Sequence, residues 1–493
     1  MRRKFITNLV LLVFLNLIIK PFWVLGIDMG VQNEVGPVEY GFYYTILNFA
    51  FIFQVLLDFG ITNFNNRNIA RNNQLLTKYF SSIVVLRFIF AIAYLIVIML
   101  IAYVLNYTER QFYILAIIGF NQFLLSFILY LRSNFSALLL FKTDSIISVL
   151  DRLILILVCG ILLWGNVTTQ EFQIEWFVYA QSGAYFATAL IALLLLLPKM
   201  NFSKLNWNPV FFIHIIKKSY PFALLVFLMS IYGKIDSVLL ESLLPESGNL
   251  QVGIYASAFR LLDVVNNMSG LLFAGLLLPI FSKLIKEKKD LSKMVKLGYT
   301  PLFLLSSSVA IIAYFYGANI IEFLYHQHTS ETAISYALRM EQTSNVFQIL
   351  MMVFIATSST YIFGTLLTAN GSLKLLNWVA LTGVVISLVL NFVLIPQFEA
   401  IGSAFTSLAA QGITGILQLY FAFKLLNINF ELSYVLRLIL FIILASISAY
   451  LSSFIDYNWI VQLALSTSLI LLISIGLQLL NFGAVLNILK NEK

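Results

Sequence analysis

The sequence predicts an all-α integral membrane protein with about 14 transmembrane helices in two pseudo-symmetric bundles around a central cavity. Three observations predict this fold: an apolar composition, a succession of apolar stretches long enough to span a bilayer, and alternating charge in the short connections. Of the 493 residues, 60% are hydrophobic and only 11% are charged. Soluble domains carry about 25% charged residues. So few charges cannot cover a soluble fold of this size, so lipid must be the solvent for most of the surface.

Apolar stretches of spanning length follow one another along the chain, and their connections leave no room for a soluble domain. The first stretch follows a basic N-terminus and has no small-residue cleavage site, so we expect a first spanning helix rather than a cleaved signal peptide. The predicted spans cover residues 5–27, 39–60, 79–105, 111–138, 146–167, 174–197, 219–244, 253–281, 294–325, 337–369, 375–395, 400–426, 434–454 and 460–488.

The charges of the connections alternate with each predicted span. Connections on the side of the N-terminus are rich in lysine and arginine, whereas those on the opposite side carry mostly carboxylates, with Arg110 and Arg339 as basic exceptions. A miscounted span would invert the alternation from that point onward, and the sequence shows no inversion. The positive-inside rule then places both termini in the cytoplasm. The same rule accounts for the lysine-rich connection 283–296 without invoking bound anionic lipid.

An internal repeat divides the chain. Residues 38–49, VEYGFYYTILNF, open the second span, and residues 252–263, VGIYASAFRLLD, open the eighth. The preceding spans contain Lys20-Pro21-Phe22 and Tyr220-Pro221-Phe222, and a proline at such a place permits a kink. The repeat predicts two parallel bundles related by an axis along the membrane normal. The predicted domains are an N-terminal bundle over residues 1–200, a C-terminal bundle over residues 213–426 and two additional helices over residues 434–488.

Charged residues deep within the spans mark a cavity or an ion pair, because a charge near the bilayer centre is costly. Lys20 lies near the middle of the first span. Lys234 and Asp236 lie at mid-depth in the seventh span, and residues two apart do not face each other on a helix. Arg260 and Asp263 in the eighth span are three apart and can pair on one face.

Three further arginines, Arg87, Arg132 and Arg152, lie about two turns inside their predicted span ends, from which arginine can reach the interface. Arg87 is the best of these candidates for lining a cavity. Converging cations form an anion site that suits phosphate. The predicted pyrophosphate-binding set is Lys20, Arg87, Lys234 and Arg260. Asp236 and Asp263 are predicted to balance this charge or to bind a coupling cation.

Other ligand chemistries have little support in the sequence. The single cysteine, Cys159, excludes a disulfide within the chain and a thiolate metal cluster. The three histidines, His214, His326 and His328, are too scattered for a metal site, so we expect no metal and no cofactor. The net charge of +8 does not indicate nucleic-acid binding, because the basic residues follow the membrane topology.

Four stretches of the sequence resemble the polysaccharide-biosynthesis flippases in order and spacing. Residues 35–71 resemble the family's N-terminal signature through Gly36, Tyr40, Gly41, Tyr43, Asp58, Gly60, Arg67 and Ala70. The other three stretches are KIDSVLL at 234–240, GIYASAFRLLD…LLLPIFSKL at 253–284, and residues 366–408. One departure lies in the last stretch, where Glu399 replaces a usual glycine and Ser403 a usual alanine. The departure concerns the turn between the eleventh and twelfth spans.

The resemblance implies the MATE-like multidrug/oligosaccharidyl-lipid/polysaccharide exporter superfamily. Its members have two six-helix bundles, often with two extra helices, and the resembling flippases move undecaprenyl-pyrophosphate-linked oligosaccharides across the bacterial inner membrane. In related lipid II flippases, basic residues of the first, second, third and eighth helices face the cavity. Lys20, Arg87 and Arg260 lie in comparable helices of this chain.

The resulting prediction is a flippase of the bacterial cytoplasmic membrane for O-antigen, capsule or exopolysaccharide repeat units. Its expected partners are the lipid-linked oligosaccharide, membrane lipid, and a polysaccharide polymerase and glycosyltransferases. A cation-coupled multidrug exporter is the alternative, and it would need more acidic residues in the cavity. A membrane glycosyltransferase or polymerase is less favoured, since the connections are too short for an active-site lid, and we expect no enzyme. A structural scaffold would not need cations at mid-membrane.

Overall fold

The structure is a computed structural model that describes residues 2–62, 75–165, 167, 169–199, 209–270 and 275–480. Parts of several predicted features lie outside these ranges, among them Arg67 and Ala70 of the N-terminal signature, residues 271–274 of the eighth predicted span, and residues 481–488 of the last predicted span. Within the described ranges all regular structure is helical, as the sequence predicts.

The helices follow the predicted spans closely. They are α1 (Arg2–Phe22), α2 (Met29–Ile52), α3 (Leu75–Val104), α4 (Glu109–Ala137), α5 (Phe141–Trp164), α6 (Ile174–Leu196), α7 (Pro209–Leu243), α8 (Gly248–Ser269), α9 (Gly275–Lys286), α10 (Ser292–Leu324), α11 (Ala333–Ala369), α12 (Leu373–Leu426), α13 (Leu432–Ser453) and α14 (Trp459–Gly476).

In the described part of the chain, 11 helices are long and apolar enough to cross a membrane, against about 14 predicted spans. The first two predicted spans fall within one stretch, Leu11–Ile52, which turns at Gly36, and the eleventh and twelfth fall within α12, which turns at Glu399. The eighth predicted span includes α8 and part of α9, and residues 271–274 between them lie outside the described residues. The chain is therefore a multi-pass helical membrane protein, and the predicted fold class is confirmed.

The junction between the first two spans depends on two prolines. Pro21 has no N–H to bond the carbonyl of Leu17, and a π-helical turn, Trp23–Asp28, follows it. The chain turns at Gly36, where φ is +78° and ψ is 168°. The next residue, Pro37, disfavours helical geometry before it, and glycine adopts a positive φ without steric cost. The chain therefore reverses between two spans with almost no loop.

The described residues form two compact units. The first comprises Met1–Ser257 with His328–Ser330, and the second comprises Ala258–Gln327 with Glu331–Lys493. In the first unit α1 packs on α5, α4 on α6, and α2 on α7. In the second unit α11 packs on α10 and α12, and α13 packs on α14. The predicted bundle boundaries at 200 and 213 stay a prediction.

Arg110, a basic exception to the charge alternation, is neutralised by carboxylates. It lies in the first turn of α4 and binds Glu39 of α2 at 2.6 Å and Glu175 of α6 at 2.8 Å. The two ion pairs link α4 to α2 and to α6 on the side of the unit where α4 and α6 begin. We call this the distal side of the first unit, because it lies opposite the start of α1. Arg339, the other exception, pairs with Glu331 at 2.6 Å in the second unit.

The distal end of α4 is closed by a capping box. Thr108 Oγ1 accepts a bond from the Gln111 amide, and Gln111 Oε1 accepts one from the Thr108 amide at 2.7 Å. These bonds satisfy two amides that the helix leaves unpaired. Thr108→Ala should lower the free energy of unfolding by about 1 kcal/mol. Thermal unfolding in detergent measures it, with Thr382→Ala, an exposed mid-helix threonine, as control. Equal melting temperatures for the two variants would contradict the capping role.

Candidate functional site

Two cations lie beside the α1–α5 contact in the first unit. Asn16 of α1 donates to Ser148 Oγ of α5 at 3.0 Å. Lys20 and Arg152 lie one helical turn further along each helix, where their charges act on each other. Both are half-buried. Like charges on packed helices repel, so this contact favours an anion between them.

The two cations lie near mid-membrane. Lys20 is about midway between the start of α1 and the turn at Gly36, and Arg152 is at the midpoint of α5. Lys20 is therefore about four to five turns from either end of its span and Arg152 about three, farther than a lysine or arginine side chain reaches. Charges at such depth line a cavity or pair with other groups.

Aromatic side chains hold the Arg152 guanidinium. Its Nη1 donates to the Tyr185 hydroxyl at 2.8 Å, and Tyr185 is the midpoint of α6. The guanidinium carbon lies 5.4 Å from the centre of the Trp23 ring and 5.6 Å from that of Tyr185. Trp23 begins the π-helical turn and stacks on Phe177 of α6 at 5.8 Å. Cation–π contacts of this kind orient a guanidinium.

Carboxylates near these cations balance part of the charge. Arg132 of α4 also repels the Lys20 ammonium electrostatically. Arg132 forms an ion pair with Asp144 of α5 at 2.8 Å. Asp151 lies 3.8 Å from Arg152. The set therefore contains three bases, Lys20, Arg132 and Arg152, and two acids.

Arg87, a predicted pyrophosphate ligand, is held by other side chains. Its side chain is only 1% exposed and forms an ion pair with Asp58, which follows α2. It also donates to the carbonyl and hydroxyl of Ser126 at 3.0 and 2.9 Å and to Thr62 at 2.7 Å, and its guanidinium lies over the Tyr130 ring. In this conformation both terminal nitrogens are engaged with the protein. Contact with a substrate would require the release of Asp58 or Thr62.

Asp236 of α7 and Asp28 of the π-helical turn are each buried and each bound to a tyrosine hydroxyl. Asp236, which is 1% exposed, accepts a hydrogen bond from the Tyr255 hydroxyl at 2.8 Å. Asp28, equally buried, accepts one from the Tyr40 hydroxyl at 2.9 Å. The sequence suggested that Asp28 lies in a connection, but the π-helical turn carries it into the bundle. Lys234, two residues before Asp236, is half-buried in α7.

Arg260 and Asp263 belong to the second unit, where they face each other on α8 at 3.9 Å. The spacing of these two residues, three positions apart on one helix, predicted that they can pair. The structure thus places Lys20, Arg87, Lys234 and Asp236 in one unit and the remaining two predicted residues in the other. Among the described histidine, cysteine and acidic residues, no group of three lies close enough to hold a metal ion.

Arg152 and Arg132 are members of the Lys20 cluster that the sequence did not single out. The predicted span began at residue 146, which placed Arg152 near a membrane surface. In the structure α5 begins at Phe141, five residues earlier, and Arg152 lies at mid-depth. The polar start of α5, Phe-Lys-Thr-Asp-Ser, concealed this first turn from an apolar-run count.

Comparison with known proteins places the chain in a family. A sequence profile described as polysaccharide biosynthesis protein matches residues 9–285, more than half of the chain. The chain belongs to the polysaccharide biosynthesis protein family. No curated protein matches the sequence.

Solved transporter structures share the fold. One is a lipid II flippase, MurJ, in an inward closed conformation: it is 15% identical, has a TM-score of 0.68, and the match covers 93% of this chain and 97% of that one. A MATE protein in complex with MaL6 is 12% identical with a TM-score of 0.60, over 85% and 96% of the two chains. A MOP-superfamily transporter from Pyrococcus furiosus has the same identity and TM-score, over 85% and 95%. The chain therefore shares the fold of these three proteins.

Proposed function

We propose that this protein is a flippase that moves an undecaprenyl-pyrophosphate-linked oligosaccharide across the bacterial cytoplasmic membrane by alternating access. The observation that carries the proposal is that two cations, Lys20 and Arg152, lie at mid-depth on two packed helices, each one turn beyond the Asn16–Ser148 hydrogen bond. A pyrophosphate bridging them would relieve their repulsion and form charge-assisted hydrogen bonds with both. Family membership supports a role in polysaccharide synthesis.

Within this proposal each side chain has a separate task. Lys20 supplies a compact point charge, and Arg152 supplies a planar fork that the Trp23 and Tyr185 rings keep in place. Arg132 and Asp144, as a pair, add little net charge. Lys234 and Arg260 would contact the phosphates at another stage of the cycle, with Asp236 and Asp263 balancing their charge. Arg87 has a structural task, because both of its terminal nitrogens are already bound to the protein.

Lys20→Ala and Arg152→Ala should each abolish surface glycan export in cells that depend on this protein. In the purified protein, each should weaken the binding of undecaprenyl pyrophosphate at least about tenfold, since each removes a charge-assisted bond. Undecaprenol, which has no phosphate, should bind both variants as it binds the native protein.

Conservative and distant substitutions serve as controls. Lys20→Arg retains the charge and should retain part of the export, whereas Lys286→Ala removes an exposed lysine of α9 and should change nothing. Undiminished export and binding in the Lys20→Ala/Arg152→Ala double variant would refute the proposed site.

A cation-coupled multidrug exporter is the second candidate, favoured by the two fully buried carboxylates, Asp28 and Asp236. An exporter of that kind would bind an organic cation such as tetraphenylphosphonium, and Asp28→Asn would weaken this binding. Glycan export that is lost in Lys20→Ala and unaffected by tetraphenylphosphonium would favour the flippase.

A further inference from the structure

Helices α2 and α8 touch backbone to backbone at the distal side of the first unit. Two glycines make this contact. A Cβ atom added to Gly41 would overlap the carbonyl oxygen of Asn249 and lie 2.8 Å from the amide nitrogen of Gly253. A Cβ atom added to Gly253 would overlap the carbonyl oxygen of Pro37 and lie 3.0 Å from its Cα. The overlapped atoms are backbone atoms, which cannot move aside as a side chain would.

The contact is reciprocal. Gly41 lies one helical turn after Pro37 on α2, and Gly253 lies one turn after Asn249 on α8. Gly41 packs against the carbonyl of Asn249, which lies four residues before Gly253. Gly253 packs in the same way against the carbonyl of Pro37, which lies four residues before Gly41. A local two-fold relation between the two helices follows from this arrangement. It pairs Gly41 with Gly253, two positions from the pairing that the sequence repeat suggests.

Polar bonds lie beside the glycine contact and join the same two groups of helices. Ser257 of α8 donates to Gln32 Oε1 of α2 at 3.0 Å, and Asn48 of α2 donates to Ser237 of α7 at 2.9 Å. Gln111 of α4 donates to Glu241 at the end of α7 at 3.0 Å. Each such bond has a net value of about 1 kcal/mol, so the set can form and break within a transport cycle.

We propose that the Gly41–Gly253 contact is the distal gate of the transport route, and that it must open and re-form in every cycle. This inference rests on the proposed transport function. Helices α7 and α8 open the second half of the repeat, yet their distal ends are fastened to α2 and α4. Passage of a substrate to the distal side requires these ends to part. Closure needs bare backbone at both glycines, so one methyl group opposes the closed state and leaves the open state unaffected.

Gly253→Ala should shift the protein towards the state that is open on the distal side. A pair of cysteines at Asn48 and Ser237, in a Cys159→Ser background, reports closure through a short thiol crosslinker, because the two native side chains touch. The crosslinked fraction should fall at least about threefold in Gly253→Ala, and in Gly41→Ala as well. Surface glycan export should fall with it.

Gly233→Ala on α7 and Gly183→Ala on α6 are matched controls, because a Cβ atom at either position meets nothing within 4 Å. Both should crosslink and export like the parent. An unchanged crosslinked fraction in Gly253→Ala would overturn the gate. Crosslinking needs no substrate, so it tests the gate separately from the proposed function. If Gly253→Ala lowers crosslinking but the parent protein exports no glycan, the proposed function is refuted and the gate is retained.

A second measurement covers the case in which Gly253→Ala does not fold. The crosslinked Asn48→Cys/Ser237→Cys protein, with both glycines native, should export no glycan, and cleavage of a reducible crosslinker should restore export. Full export by the crosslinked protein would overturn the gate independently of the glycine variants.

Discussion

Arg87→Ala is expected to lower the free energy of unfolding by about 3 kcal/mol, because it leaves the Asp58 carboxylate without its cation. The Arg87 side chain is 1% exposed, whereas that of Asp58 is 33% exposed. The remaining carboxylate would be partly hydrated, so we expect the lower end of the range for a broken buried pair. The loss also leaves the Ser126 hydroxyl and the Tyr130 ring without the guanidinium. Unfolding in detergent, followed by the loss of helical signal, measures the difference.

Three variants test the cause. Arg87→Lys keeps the charge but not the fork that reaches Asp58, Thr62 and Ser126 together, so its stability should be intermediate. Arg437→Ala removes an exposed arginine of α13 and should change the stability little. If Arg87→Ala retained full stability but lost affinity for undecaprenyl pyrophosphate, Arg87 would be a substrate ligand and not a structural residue.

The fold was predictable from the sequence because its causes are local. Apolar runs of bilayer length and alternating connection charge depend on short windows of sequence, and both describe a chain whose solvent is lipid. Fewer separate helices than predicted spans are found because two helical stretches each contain two spans joined by a turn, at Gly36 and at Glu399. Hydropathy does not record the backbone geometry of such turns, so it counts spans and not continuous helices.

The candidate site was predictable only in part, because depth and partners belong to the tertiary structure. Lys20 stood out since it lies deep in an apolar run, far from the cytoplasmic end of its predicted span. Arg152 did not, because the polar first turn of its helix shortened the apparent run. The bond between Asp58 and Arg87 joins residues 29 apart, and no spacing rule within a helix foretells it. Burial of Asp28 depends on the π-helical turn after Pro21, which moves the residue away from the membrane surface.

Gly402→Ala is expected to lower the free energy of unfolding by about 2 kcal/mol, through the turn within α12 that joins two predicted spans. A Cβ atom on Gly402 would overlap the carbonyl oxygen of Leu394 and lie 2.7 Å from its carbonyl carbon. The chain folds back on itself between these two residues, and Gly402 lets the returning helix start close to the preceding one. A methyl group there must push the two helical segments apart.

A substitution three residues earlier should have the opposite sign. Glu399 has φ +51° and ψ −130°, a conformation that a residue with a Cβ atom rarely adopts and that glycine adopts freely. The strained backbone at Glu399 costs about 1–3 kcal/mol. Glycine would remove this strain but would also raise the conformational entropy of the unfolded chain, which offsets part of the gain in stability. The contact with Gln342, at 3.5 Å, adds little. Glu399→Gly should therefore raise the stability by about 1 kcal/mol, and Gly402→Ala should lower it in either background. A stability loss in Glu399→Gly would mean that the carboxylate, and not the backbone, determines this turn.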